Sequence, residues 1–320
     1  MKPTYVKDLK PDTPVHSTFL VQSKEQKTAS NGAPYLDLRL RDKTGVIPAK
    51  LWDYSERTTP AFEADEFVDV EGYVEAYRGA AQLRVRKIRP CGEQVVDLGD
   101  YLPSSARDPE EMYAALVERA GRLEQDPLRA LVLAILEDAT IAPRFKLAPA
   151  AMSYHHAFLG GLLEHVCSLV TLADQVADHY PWLDRDLVIA GLLLHDLGKI
   201  EELEFARGFR YSTRGQLVGH MAIVLEMVQE KIRQIPDFPP QLKHRIEHII
   251  LSHHGQLEFG SPKEPMFPEA LVVHYLDDLD SKLESMREQY ATDQERTGDW
   301  TGRNPALKRE LLKPPKDSGH

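Results

Sequence analysis

Over the first hundred residues, apolar and polar positions alternate in short runs. Val15–Val21, Pro34–Leu40, Gly45–Trp52, Phe67–Val74 and Gln82–Ile88 each show partial two-residue alternation, the period of a strand that buries one face. Asn31-Gly32, Lys43-Thr44-Gly45 and Tyr77-Arg78-Gly79-Ala80 separate the runs with turn chemistry. Five short strands within residues 1–97 predict a small all-β barrel of the OB type.

Past residues 98–110, which read as a linker, the period becomes helical. Met112–Arg122, Leu128–Asp138, Leu162–His179, Leu187–Leu197, His220–Gln234, Gln241–Ser252 and Pro268–Tyr290 are the expected helices. Pro236, Pro239 and Pro240 punctuate one boundary. The expected fold is therefore multidomain, the barrel followed by an all-α domain over 111–300. Residues 301–320 are polar and proline-bearing and are expected to be disordered.

Composition narrows the class. No apolar stretch approaches the ~20 residues that span a bilayer, and the N-terminus lacks the apolar core of a signal peptide. Two cysteines, Cys91 and Cys167, cannot make a disulfide framework, so a cytoplasmic protein without a membrane partner is expected. The net charge of −11 is unevenly spread: residues 1–98 hold 15 basic and 15 acidic side chains, and the helical part carries the whole excess. Bound divalent ions would add positive charge that the formal count omits.

The chemistry concentrates in that acidic part, where eleven of the thirteen histidines fall between His155 and His274. His195-Asp196 closes the apolar run Leu187–Leu194, and a buried carboxylate is costly unless paired or bound to metal. His165 ends Gly160-Gly-Leu-Leu-Glu-His165, His220 follows Gly219, His253-His254 precedes Gly255, and Asp277 and Asp280 sit on one helix. His16, His179, His244, His248 and His320 read as ordinary surface histidines. Imidazole with carboxylate suits Mn, with Mg, Fe, Co or Zn as alternatives, in one or two ions per chain. One allocation gives His165, His195, Asp196 and Asp277 to a first ion and His220, His253 and His254 to a second, with Asp196 between them. Paired ions would orient and activate a water against a phosphodiester. Lys199, just past the ligands, is placed to meet a phosphate oxygen or, equally, to sit solvated at a helix end.

These residues carry a resemblance. The order His165…His195-Asp196…Asp277, with His195-Asp-Leu-Gly-Lys199 at its centre, resembles the HD superfamily of metal-dependent phosphohydrolases. Tyr154–His165, Gly215–His220, Leu251–Gly255 and His274–Lys282 narrow it: together they resemble the YhaM-type 3′–5′ exoribonucleases, which place an OB-fold domain before an HD domain. The resemblance implies that His165, His195, Asp196 and Asp277 are metal ligands. It gives His220, His253 and His254 second-metal or phosphate-contacting positions. Asp196 and Lys199 are the catalytic candidates beside them. His156 becomes a substrate contact or acid, ahead of its neighbour His155, and Asp280 a carboxylate behind the ligands, not separable from Asp277 or Asp278 in role. No Gly-Tyr-Pro motif follows the doublet, which argues against the cyclic-di-GMP branch.

On the barrel, Lys24, Lys27, Tyr35, Arg39, Trp52, Tyr77 and Arg78 interleave aromatics with basic residues as a single-strand binder would. Packing of Tyr35 and Trp52 within the barrel is the plainer alternative. The resulting expectation is a metal-dependent 3′–5′ exoribonuclease acting on single-stranded RNA, with single-stranded DNA a further substrate. The rivals are a phosphohydrolase of a small nucleotide with a regulatory barrel, and an RNA-binding protein with a structural HD site. The chain leaves a homo-oligomer open.

Overall fold

The computed structural model describes residues 2–52, 54–77, 79–92, 96–152, 156–294 and 296–315. The chain divides into two compact units, one of residues 1–104 with 205–208, the other of 105–204 with 209–320.

The first unit is a closed barrel of β1 (Thr13–Thr28), β2 (Pro34–Asp42), β3 (Gly45–Leu51), β4 (Phe67–Tyr77) and β5 (Ala80–Pro90), in the order β1-β2-β3-β5-β4. Only the β3–β5 pair is parallel, the topology of an OB barrel. Alternate side chains fill it: Leu36, Leu38 and Leu40 from β2, Ile47 and Ala49 from β3, Val70 and Val74 from β4, Leu83, Val85 and Ile88 from β5. β1 runs seven residues beyond the predicted Val21. Its ladder with β2 shifts register between Val21 and Ser23, which resets the alternation, and its second half is polar and held by backbone pairing.

Two boundaries differ from expectation. Residues 98–102 are no free linker: Leu98–Asp100 forms a 3-10 turn capped by Asp97, and Tyr101 and Leu102 are buried. The Tyr101 ring meets Phe67 edge-on at 4.9 Å, so this segment completes the barrel unit. The tail is also ordered as far as it is described. In the described part of residues 301–320, β8 (Trp300–Asn304) pairs with β9 (Arg309–Leu312). Asn304 is buried and donates to the carbonyl of Ser285 at 3.2 Å. Burial of Thr301, Asn304 and Leu311 outweighs the polar composition that suggested disorder. Residues 316–320 lie outside the described residues.

The second unit is helical: α1 (Pro109–Gly121), α2 (Asp126–Leu136), α3 (Ile141–Leu147), α4 (Gly161–His179), α5 (Arg185–Leu194), α6 (Lys199–Glu202), α7 (Thr213–Val218), α8 (His220–Gln234), α9 (Pro240–Ser252) and α10 (Pro268–Thr292). The short strands β6 (Leu203–Glu204) and β7 (Arg210–Tyr211) form a hairpin between α6 and α7. α5 is the hub. Residues 186–194 are buried without exception, and the helix packs on α2, α4, α9 and α10. α3, α6 and α7 have four to seven residues each, too short to show a helical period. No helix among the described residues is long and apolar enough to cross a membrane.

Candidate metal centre and nucleic-acid face

The ends of the buried helices bring the histidines together. His195 caps the C-terminus of α5 with Asp196 beside it, His165 lies in the first turns of α4, His220 opens α8, and His253 caps α9. Asp277 and Asp280 stand one turn apart on α10. Gly198 permits the approach of α8, because a Cβ there would collide with the backbone of His220. Gly255 has φ +79°, and the ring of His274 fills the space a Cβ would take.

Four rings are oriented alike. His195 Nδ1 donates to the carbonyl of Leu192 at 2.9 Å and His253 Nδ1 to that of Ile250 at 2.7 Å. His220 Nδ1 donates to Glu202 Oε1 at 3.1 Å and His165 Nδ1 to Asp280 Oδ2 at 2.7 Å. Carbonyls and carboxylates only accept, so in each neutral ring Nε2 carries a bare lone pair. Those lone pairs face more acceptors. Asp196 Oδ1 is 3.4 Å from His220 Nε2 and 3.6 Å from His253 Nε2. Asp196 Oδ2 is 3.4 Å from His195 Nε2, and Asp277 Oδ1 is 3.2 Å from His165 Nε2. Nε2 of His195, His220 and His253 and Oδ1 of Asp196 are buried without a hydrogen-bond partner.

Acceptors crowded on acceptors, buried and unpartnered, need a cation between them. Ligands about 2.0–2.2 Å from one ion stand about 3–3.6 Å apart, and the four pairs above span 3.2–3.6 Å. His165, His195, Asp196 and Asp277 offer one such group of donor atoms, and His220, His253 and His254 another. The residues therefore fit divalent metal, and neither group contains a cysteine. These are the two sets allocated from the sequence.

The electrostatics agree with the donor set. Burial would raise the Asp196 carboxyl, but Lys199 and the histidines around it hold it well below the usual carboxylate range. Lys199 Nζ donates to Asp196 Oδ2 at 2.6 Å and, despite burial, is raised by that carboxylate. Burial, then the charge of His253 and His220, pushes His254 down to about 3, which keeps its ring neutral and able to ligate. His165 is the exception: burial opposes its protonation, but without metal the hydrogen bonds to Asp277 and Asp280 lift it to about 9, so an ion must displace the proton on its Nε2 to bind there.

Asp280 stands behind His165, and its carboxylate also accepts from His156 Nε2 at 3.1 Å and from the Ser168 hydroxyl. His156, His165 and Asp280 form a third group of close donor atoms. Asp278 is apart from these, paired with Lys282 at 2.6 Å. Glu202, which holds His220, is a residue of consequence that the sequence did not suggest, as is Lys50 on the barrel. Glu202 lies eighteen residues from His220 in an otherwise ordinary Glu-Glu pair, and only the return of α8 onto α6 brings it there.

On the barrel, Tyr35 and Trp52 face outward and stack at 4.6 Å with an interplanar angle of 33°. They are not packed inside the barrel, since Trp52 is 37% exposed. Lys50 lies 4.8 Å over the Tyr35 ring and 5.7 Å from that of Trp52. These three, with Asn31, Tyr77 and Gln82, line a cleft of about 570 Å³. Lys24, Lys27 and Arg39 do not line it. Lys24 is held by the carbonyl of Phe62 and by Glu63, and Lys27 by Asp37 and Glu25. Arg39 is exposed on β2, and Arg78 lies outside the described residues.

Comparison with known proteins finds relatives of the whole chain and of its helical part. The family model for the HD domain matches residues 162–282. The chain is 37% identical over 302 residues to the 3′-5′ exoribonuclease YhaM of Bacillus velezensis, covering 94% of this chain and 95% of that protein. It is 36% identical to the Bacillus subtilis protein of the same name over the same shares. With the YhaM of Listeria monocytogenes it shares 37% identity over 84% of this chain and 85% of that one. Among solved structures, the second OB-fold domain of replication protein A from Methanococcus maripaludis is 21% identical, spans 27% of this chain and 92% of that one, and has a TM-score of 0.23. An HD domain and relatives of this identity, matched along nearly their whole length, establish that the chain belongs to the YhaM family of 3′–5′ exoribonucleases.

Proposed function

We propose that this chain is a divalent-metal-dependent 3′–5′ exoribonuclease that removes mononucleotides from single-stranded RNA and also accepts single-stranded DNA. The observation that carries the reading is the set of buried, unpartnered acceptor atoms around Asp196. A bound divalent ion supplies Lewis-acid charge at the phosphoryl oxygens and a water acidic enough to attack. We assign His165, His195, Asp196 and Asp277 to one ion and His220, His253 and His254 to a second. Manganese is the ion we assign, because imidazole and carboxylate without thiolate suit it.

The side chains do the positioning. Glu202, Asp280 and the carbonyls of Leu192 and Ile250 fix the imidazole rings, so the site is organised before substrate arrives. Lys199 holds a permanent positive charge beside Asp196 and meets a non-bridging phosphate oxygen as a point charge. Tyr35 and Trp52 stack bases, and stacking accepts any sequence because every base has a π-face. Lys50 adds a cation beside both rings for the backbone. We infer a cytoplasmic location, where an RNA substrate of this kind is found.

The polarity of digestion tests the reading. A 3′-labelled RNA should lose its label at once as mononucleotide, while a 5′-labelled RNA shortens through a ladder. Internal fragments from either strand, or hydrolysis of free nucleotides with RNA left intact, would contradict it.

A further inference from the structure

His274 supplies no donor atom to the groups that could hold metal, yet it grips the turn that carries two of those ligands. It lies on α10, three residues and so about one turn before Asp277. Its Nδ1 is 2.7 Å from the backbone carbonyl of His253. A carbonyl only accepts, so Nδ1 carries the proton and donates. His253 caps α9 and is fully buried. The last carbonyls of a helix have no partner within it, and a buried one left unpaired is costly. Here a side chain from the neighbouring helix meets that need.

The turn is built against the ring. Gly255 follows His254 with φ +79°, the left-handed conformation that closes many helices and that glycine adopts freely. Its N–H donates to the Ser252 carbonyl at 2.8 Å, and the Gln256 N–H donates to that of His254 at 3.0 Å. A Cβ on Gly255 would collide with Cε1, Nε2 and Nδ1 of His274, so the ring lies directly on the glycine backbone. His274 therefore holds the chain on both sides of His254, by a hydrogen bond before it and a close contact after it. The His254 ring stands 4.3 Å from that of His253 and 5.3 Å from that of His220. Ile250 and Glu202 orient the rings of His253 and His220, and the turn fixed by His274 sets where His254 meets them.

On the two-ion reading, which this inference rests on, His220, His253 and His254 hold the second ion. We infer that His274 is a positioning residue for that ion, acting through the turn that presents His253 and His254 together. The same helix supplies Asp277 to the first group of ligands. His274 thus ties the second group to a ligand of the first, and two ions act on one phosphodiester only when their spacing is held.

The test separates the hydrogen bond from the bulk of the ring. His274→Phe keeps a ring against Gly255 without the donor, and His274→Asn keeps an amide donor near the place of Nδ1. Equilibrium dialysis against Mn²⁺ should find two ions on the wild-type chain. In His274→Phe one of them should weaken about 10- to 100-fold, the usual effect of losing support behind a ligand, while the other holds. His274→Asn should recover most of that loss. In the metal-free proteins, the Gly255 and Gln256 amide hydrogens should exchange at least about 10-fold faster in His274→Phe than in wild type, because the turn opens more often. Two ions bound as tightly as in wild type, equal weakening of both, unchanged amide exchange, or an Asn variant no better than Phe would each overturn the inference. None of these touches the two-ion reading. A wild type that binds fewer than two ions would instead overturn that reading, whatever the His274 variants do.

Discussion

Glu202 accepts two hydrogen bonds from His220, one from its backbone N–H at 3.0 Å and one from ring Nδ1 at 3.1 Å. The pair is buried on both sides. Burial would raise the Glu202 carboxyl, yet the bonds to His220 hold it below its ordinary range, so it remains an acceptor. It fixes both the start of α8 and the tautomer of the ring, leaving Nε2 bare 3.4 Å from Asp196 Oδ1.

Removing this support should weaken metal binding, beyond the stability lost by leaving the buried His220 N–H groups unpaired. Glu202→Ala is expected to lose roughly 10- to 100-fold in metal affinity, the usual effect of losing a partner behind a histidine ligand. Excess metal should recover much of the activity, and Glu202→Gln, which can still accept from Nδ1, should lie in between. Metal titrations followed by calorimetry and by RNA digestion check both. Unchanged affinity in Glu202→Ala would show that His220 does not serve as a ligand.

The stacked pair on the barrel predicts a split between binding and turnover. Tyr35→Ala and Trp52→Ala should each weaken binding of single-stranded RNA by about 1–3 kcal/mol, the value of one base–aromatic stack. The effect should appear in KM with kcat nearly unchanged, and hydrolysis of a dinucleotide should be unaffected. Lys24→Ala and Lys27→Ala should change little, because carboxylates already hold both ammonium groups. Fluorescence anisotropy with labelled RNA separates these outcomes.

Stability at acid pH should depend on Asp138, which bridges the end of α2 to α8. Its carboxylate accepts from Lys231 Nζ at 2.7 Å and from the Thr140 hydroxyl and N–H at 2.6 and 2.8 Å. The Lys231 bond, then those from Thr140, hold it well below its ordinary value. A carboxylate depressed on folding contributes its full stability above the unfolded pKa of about 3.9 and loses it as pH falls through the folded value. Asp138→Asn should therefore cost about 1 kcal/mol at pH 7, with the gap to wild type closing as the pH drops below 4. Urea denaturation at a series of pH values measures the gap, and one independent of pH would contradict the assignment.

Much of this architecture was written in the sequence because the signals were periodic or adjacent. Each of the five barrel strands carries inward residues at alternate positions. His195-Asp196 was conspicuous as two ionisable residues ending an apolar helix, and glycines beside His220 and His254 marked element ends where side chains converge. What stayed hidden depends on chain return. The partnership of Glu202 with His220 exists only after α8 folds onto α6. The carbonyls of Leu192 and Ile250 hold the rings of His195 and His253 through backbone atoms that every residue possesses. The hairpin of β8 and β9 was missed for a related reason: its buried anchors are Thr301 and Asn304, polar residues whose burial is satisfied by one another's neighbourhood and by Ser285. Hydropathy assigns such residues to solvent.

The central claim is that Asp196 joins two groups of histidines around divalent metal and that this metal drives digestion from the 3′ end. The most direct measurement counts bound Mn²⁺ by equilibrium dialysis and follows 5′-labelled RNA in parallel, for wild type and Asp196→Asn, with and without EDTA. The account predicts bound metal and a 3′-shortening ladder in the wild type. It predicts loss of the ladder in EDTA, and in Asp196→Asn weakened metal binding with activity down at least about 10³-fold (roughly 4 kcal/mol of barrier). An Asp196→Asn protein that binds Mn²⁺ as tightly as wild type and still degrades RNA would contradict it.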